Sequence, residues 1–376
     1  MNLYVMDKYL NTLIVKFASP CNLNCTYCYE YNTGDETWKT KPKFFTEDFS
    51  IVLNSRIKEY LKATNLKKIN IIAHGGEPLL LGAERLNIIF SNLKEGIEDK
   101  INFGMQTNGV LVNDNIIKVL KSHNVKCGVS IDGTFSHNRH RVFHNGKSTY
   151  EDTLKGYNLL YINNLVAGIL CVVDFETDPT EVLESLCALN PKQLDLIQPF
   201  FNHNHPLGAE RLGKLFFDWF STAFEYYMSK PEWHNIQLRI FEAAIFSMLS
   251  NKSNSDWFGG PHGNYLVIET DGNYDVLDHL KSIGSYGKQI SNLSMGINDL
   301  SLIDANEQIH AIYDRFNIKS PPDSCLGCKY ENKCGGGYYP TRYNSKNKSL
   351  NNKSVYCDGL LSIFDLITSK LKNYGY

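Results

Sequence analysis

Three cysteines near the start of the chain, Cys21, Cys25 and Cys28, are spaced C-x3-C-x2-C. Three thiolates on one short loop can hold three corners of a cubane iron–sulfur cluster, and the missing fourth ligand leaves one iron open to a small molecule. An open iron is reactive. The competing reading is structural zinc, which wants four closed ligands and finds no fourth nearby. A second set stands near the other end, with Cys325, Cys328 and Cys334 in C-x2-C-x5-C and Cys357 downstream. Four thiolates complete either a cluster or a zinc site, and the spacing leaves both open. Cys127, Cys171 and Cys187 stand singly in strand-like or helix-like runs and read as buried structural thiols.

The elements that must position these thiols can be read from hydrophobic periodicity. From residue 13 to about 200, short β-branched runs alternate with longer amphipathic stretches, the pattern of βα units and a parallel sheet. Six strands are expected, at 13–18, 69–74, 101–107, 126–131, 166–173 and 193–200, with helices such as 84–93, 114–121 and 153–160 between them. The fold class is therefore α/β, a partial (β/α)6 barrel, and the triad directly follows the first strand, at the end where barrel enzymes place their chemistry. Residues 208–250 read as two aromatic-rich helices. Beyond 251 the composition shifts to Gly, Asn, Ser and Lys, with a hairpin expected over 266–277 around Asp271-Gly272 and a closing helix at 360–371. Three regions are expected: a partial barrel at 1–207, a helical bridge at 208–250 and a cysteine-bearing unit at 251–376.

Composition excludes several classes. A net charge of -2, with both signs interspersed, leaves no basic footprint for nucleic acid. No run is long and apolar enough for a membrane span, and no signal peptide is visible, so a cytoplasmic protein is expected. Ten cysteines in a reducing compartment suggest metal ligation before disulfides.

Further residues extend the triad into a family pattern. Tyr27 precedes its last cysteine, Gly75-Gly76-Glu77-Pro78 ends the second strand, Gln106-Thr107-Asn108-Gly109 follows the third, and Ser130-Ile131-Asp132-Gly133 follows the fourth. Together they resemble the radical S-adenosylmethionine superfamily. The resemblance implies that Cys21, Cys25 and Cys28 hold a [4Fe-4S] cluster whose open iron binds S-adenosylmethionine. It also implies that Tyr27, Gly75, Gly76, Glu77, Gln106 and Ser130 line the cofactor, with Ser130 on its ribose. The run His137-Asn138-Arg139-His140-Arg141 is similar to the H-D-R-x-R of peptide-modifying members, with Asn138 in place of the acid, and implies Arg141 as a clamp on the methionine carboxylate.

The C-terminal set resembles the SPASM domain, which carries auxiliary [4Fe-4S] clusters. Cys325, Cys328, Cys334 and Cys357 match the four ligands of one such cluster. The ligands of the other are missing, since Leu277 and Tyr338 stand where cysteines are expected and none falls at 260–263. One auxiliary cluster is therefore expected. Asp278 falls where sulfatase-maturating relatives place a catalytic acid-base.

The resemblance implies a maturase of ribosomally made peptides, with a leader-bearing precursor peptide as partner and flavodoxin or ferredoxin as electron donor. Carbon–carbon cyclophane formation ranks first among its products. Thioether formation and sulfatase-maturase-like oxidation of Cys or Ser to formylglycine are the alternatives, and a zinc-binding scaffold is the non-enzymatic one. The free edge of the hairpin at 266–278 is the surface expected to pair with a leader.

Overall fold

The structure, a computed structural model, describes residues 9–253, 255–259, 264–276, 278–316, 318 and 320–373. They form two compact units, each discontinuous in sequence: 9–131, 138–168 and 264–312 in the first, and 132–137, 169–259 and 313–373 in the second.

The first unit is built on β1 (Thr12–Ala18), β2 (Ile69–Gly75), β3 (Ile101–Thr107) and β4 (Lys126–Ser130), paired in parallel in that order. Parallel pairing sets their carboxyl ends side by side, so the loops after all four strands emerge together. Helices connect them, and local chemistry fixes the ends. Thr46 Oγ1 accepts from the Phe49 N–H at the start of Glu47–Thr64, and Asn65 closes that helix in the left-handed region at φ 57°. Asn113 caps Asp114–Ser122 through the N–H groups of Asn115 and Ile116. The core beneath includes Phe17, Phe45, Phe90 and Phe103, each 8% exposed or less, and full burial of such a side chain contributes roughly 1.5–3 kcal/mol.

The strand β5 (Val166–Val172) begins in the first unit and ends in the second, where β6 (Gln193–Ile197) pairs parallel to it and β7 (Gln237–Leu238) parallel to β6. All six expected βα strands are thus present, and the fold class is α/β. The sixth ends at Ile197, three residues early, as Pro199 follows and cannot donate to a ladder. The aromatic-rich helices occupy Gly208–Met228 and Arg239–Ser250, and Cys357–Asn373 is the closing helix.

The hairpin consists of β8 (Tyr265–Ile268) and β9 (Asn273–Asp275), turned by Gly272 at φ 80°. Its expected end, Leu277, lies outside the described residues. Contrary to expectation, it has no free edge. β8 lies parallel on β1, and β9 pairs with β10 (Asn292–Gly296). A leader strand cannot add to a ladder whose donors and acceptors are already taken. Among the described residues no helix is long and apolar enough to cross a membrane.

One contact behind the site permits no side chain. A Cβ on Gly156, in the helix Tyr150–Ile162, would stand 1.9 Å from the Gly109 carbonyl oxygen, and Gly109 itself sits at φ 79°. G156A should destabilise the protein by about 1–3 kcal/mol through this overpacking, read as a lower urea midpoint at unchanged m-value.

Candidate active site

The triad loop leaves β1 and is braced by the 140–144 segment. Asn24 N–H donates to Val142 O at 2.8 Å, Thr26 N–H to His140 O at 3.0 Å, and Thr26 Oγ1 pairs with His140 Nδ1 at 2.8 Å. His144 Nε2 lies 3.0 Å from Cys21 O. Within the loop, Cys28 N–H donates to Cys25 O at 3.0 Å and Asn32 Nδ2 to the same oxygen at 2.8 Å. Asn108 Nδ2 lies 3.8 Å from Cys21 Sγ and donates to Asn22 Oδ1 at 2.9 Å. Burial pushes the Cys21 and Cys28 thiols up to about 12.

Gly75 and Gly76 are bare because this loop presses on them. A Cβ on Gly75 would meet Ala18 O at 2.2 Å, and one on Gly76 would meet Pro20 O and Tyr31 Oη at 2.1 Å. The glycine pair thus seats the cysteine loop against the end of β2. Glu77 is 1% exposed and works as a strut: its carboxylate accepts from Leu79 N at 3.0 Å, Thr107 Oγ1 at 2.8 Å and Asn108 N at 2.8 Å, tying the end of β2 to the end of β3. Burial pushes its carboxyl up to about 7. Gln106 Nε2 donates to Ser130 Oγ at 2.9 Å, joining the ends of β3 and β4. Arg141, 7% exposed, donates from Nη1 to Tyr27 Oη at 2.8 Å. The seven candidate residues and the triad thus gather at the carboxyl ends of β1–β4.

Beside them lies a buried ionic network that sequence reasoning missed. Lys16 on β1 is 2% exposed and reaches Asp278 Oδ1 at 2.6 Å, Glu269 Oε1 at 3.5 Å and Glu30. Lys281 reaches Glu269 Oε1 at 2.7 Å, Asp278 Oδ1 at 3.0 Å and Glu30 Oε2 at 3.2 Å, while Lys41 adds Glu269 Oε2 at 3.0 Å. Tyr29 Oη donates to Asp278 Oδ2 at 2.7 Å, so both oxygens of Asp278 are engaged. Burial alone would raise the Asp278 carboxyl, but Lys16, Lys281 and His74 hold it well below the usual range. Glu30 goes the other way, to about 7, through burial and the neighbouring Asp278. Asp278 is therefore ionised at neutral pH. The signal in the sequence was Lys16 itself, a lysine inside an apolar strand, since a buried lysine demands partners.

In the second unit Cys325, Cys328, Cys334 and Cys357 lie within Coulombic reach of one another. Burial pushes Cys334 up to about 12 and Cys357 to about 11. Among the described residues no three His, Cys, Asp or Glu side chains are gathered as around one metal ion. Tyr338, at an expected cysteine position, is 1% exposed and stacks with Trp257 at 4.8 Å and Phe200 at 5.5 Å, so aromatic packing fills that place. The other expected positions, Leu277 and 260–263, lie outside the described residues. Cys127, Cys171 and Cys187 are 5% exposed or less, on β4, β5 and the helix Pro179–Cys187.

Residues 15–186, which contain the triad loop and its neighbouring strand ends, match the radical SAM superfamily model. That segment is similar to the radical SAM superfamily. The chain is 25% identical over 390 residues to the cysteine-type anaerobic sulfatase-maturating enzyme of Clostridium perfringens, covering 97% of this chain and 98% of the relative. It is also 25% identical over 379 residues to the serine-type anaerobic sulfatase-maturating enzyme of Klebsiella aerogenes, covering 96% and 86%. The solved structure of native anSMEcpe with bound AdoMet has the same fold, with a TM-score of 0.79 at 22% identity over 96% of this chain and 98% of that one.

The buried network has a measurable acid signature. Burial alone would raise Glu269, but Lys16, Lys281 and Lys41 lower it from 4.5 to about 2. A depressed carboxylate contributes stability that is full above its unfolded pKa and lost as pH falls through the folded one. E269Q should therefore flatten the rise in unfolding free energy between pH 2 and 4.5, by about 3 kcal/mol for a depression of that size. Urea titrations at several pH values read it. Removing the cation instead, K16M, leaves buried carboxylates uncompensated and should cost about 3–5 kcal/mol at neutral pH.

Proposed function

We propose that this enzyme oxidises a Cys or Ser side chain of a peptide or protein substrate to formylglycine, in the manner of anaerobic sulfatase maturases. The observation that carries the reading is co-extension: the similarity to sulfatase-maturating enzymes runs over nearly the whole chain, far beyond the matched radical SAM segment. The ranking drawn from sequence is thereby reversed, and cyclophane formation falls behind its alternative. The Cys-type and Ser-type relatives are both 25% identical to this chain, so the choice of side chain is left to experiment.

In this reading Cys21, Cys25 and Cys28 hold a [4Fe-4S] cluster, with S-adenosylmethionine on its open iron. When bound, the pair supplies a one-electron cleavage that generates a hydrogen-abstracting 5'-deoxyadenosyl radical. The protein supplies placement. Arg141, joined to Tyr27 next to Cys28, offers its planar fork to the methionine carboxylate, and the Gln106–Ser130 pair faces the ribose. The Gly75-Gly76 turn and the Glu77 strut keep the three strand ends from parting. Asp278, held ionised by Lys16 and Lys281, is the proton acceptor on the substrate side. Cys325, Cys328, Cys334 and Cys357 hold one auxiliary cluster, and a flavodoxin or ferredoxin delivers electrons.

The test is anaerobic reconstitution and turnover with sulfatase-derived peptides bearing Cys or Ser. About eight irons per chain are expected for two cubanes. Tandem mass spectrometry should place the change on one residue, whereas a cross-link would spread it over two and restore the cross-linking readings, cyclophane or thioether. D278N should still cleave S-adenosylmethionine while product falls by about 10²–10⁴-fold, the range of general-base catalysis. Unchanged product removes Asp278 from the mechanism.

A further inference from the structure

The second unit contains a buried cation that the reading above leaves without a task. Arg342 ends the short turn Tyr339–Arg342 and is 2% exposed, the bulkiest of the fully buried side chains. Among the described residues its guanidinium donates to backbone carbonyls: Nε to Gly337 O at 3.0 Å, Nη1 to Ser320 O at 3.1 Å, and Nη2 to Gly335 O at 2.7 Å and to Gly337 O. Two of these acceptors belong to the glycine run that directly follows Cys334. Gly335, Gly336 and Gly337 all have positive φ, at 54°, 86° and 76°, a conformation in which consecutive residues other than glycine would be strained. The run wraps the guanidinium closely, and a Cβ on Gly336 would stand 3.4 Å from its central carbon.

What is missing is an acid. Among the described residues no carboxylate lies within ion-pair distance of Arg342. Carbonyls satisfy its N–H groups but carry no net charge, and a buried charge without a counter-charge is expensive. A guanidinium stays charged at neutral pH. It is held on the carbonyls of the residues that directly follow Cys334. A metal group bound by the cysteines as thiolates would supply the missing counter-charge.

We infer that Arg342 is the positioning residue that balances the charge of the group held by Cys325, Cys328, Cys334 and Cys357 and sets its reduction potential. The inference rests on the proposal that these cysteines hold a cluster. Reducing a thiolate-ligated cluster adds negative charge, and a fixed cation in a low-dielectric surrounding stabilises the reduced form more than the oxidised one. Its donors also hold the 335–337 backbone, so shape and charge must be separated by experiment.

The full chain is prepared with Cys21, Cys25 and Cys28 replaced by Ala, leaving one iron site, reconstituted anaerobically and titrated potentiometrically with EPR detection. R342Q should retain iron but hold at least tenfold less reduced centre at a fixed solution potential, a downward shift of about 59 mV for one electron. R342K, which keeps the charge, should recover more than half of that shift. If R342Q does not fold, R342H carries the test, because its potential must rise as pH falls and the imidazole charges while that of the arginine form follows no such step. Iron near four per chain with an unmoved R342Q potential overturns the inference and leaves the cluster proposal standing, as does an R342K potential as low as that of R342Q. Absence of iron from the triad-free protein with Arg342 intact overturns the cluster proposal, and the inference with it.

Discussion

The buried network around Lys16 is the constraint on which the rest of the first unit depends. One ammonium in the middle of β1 is surrounded by Glu30, Glu269 and Asp278, and Lys281 repeats its contacts from the other side. These groups come from four segments: the first strand, the residues just after Cys28, the end of β8 and the turn that follows the hairpin. In a low-dielectric interior each charge is tolerable only if its partners hold position, so the network makes the four placements interdependent. The cysteine loop cannot shift without exposing Glu30 and Tyr29, and Asp278 cannot turn without breaking with Lys16.

This linkage explains why a hairpin more than two hundred residues downstream belongs to the first unit. β8 lies parallel to β1 with Val15 opposite Ile268, which sets Glu269 beside Lys16. The same pairing uses up the hairpin edge. A cavity of about 210 Å³, bordered by Lys41, Glu269, Asp275 and Lys281, opens onto the network. Another of about 740 Å³, bordered by Lys58, Lys62, Lys67 and Lys100, lies near the amino-terminal ends of β2 and β3 and includes none of the candidate residues.

The two cysteine sets solve the same electrostatic problem differently. The triad is braced through backbone bonds to the 140–142 segment and an asparagine amide near Cys21, whereas the C-terminal set has a buried guanidinium beside it. The first arrangement fixes a loop. The second places a permanent charge, while aromatic packing with Trp257 and Tyr339 surrounds Tyr338.

The sequence by itself determined what depends on local spacing and period. The triad, the strand-end motifs and the six β runs were legible because thiol spacing, glycine pairs and alternation of apolar residues are properties of short segments. The pairing of the hairpin, the role of 140–142 as a brace and the partners of Lys16 were decided only by tertiary structure. No local rule relates residue 16 to residues 269, 278 and 281; their meeting follows from which strand closes on β1. A buried lysine announces that partners exist, and the fold alone chooses them.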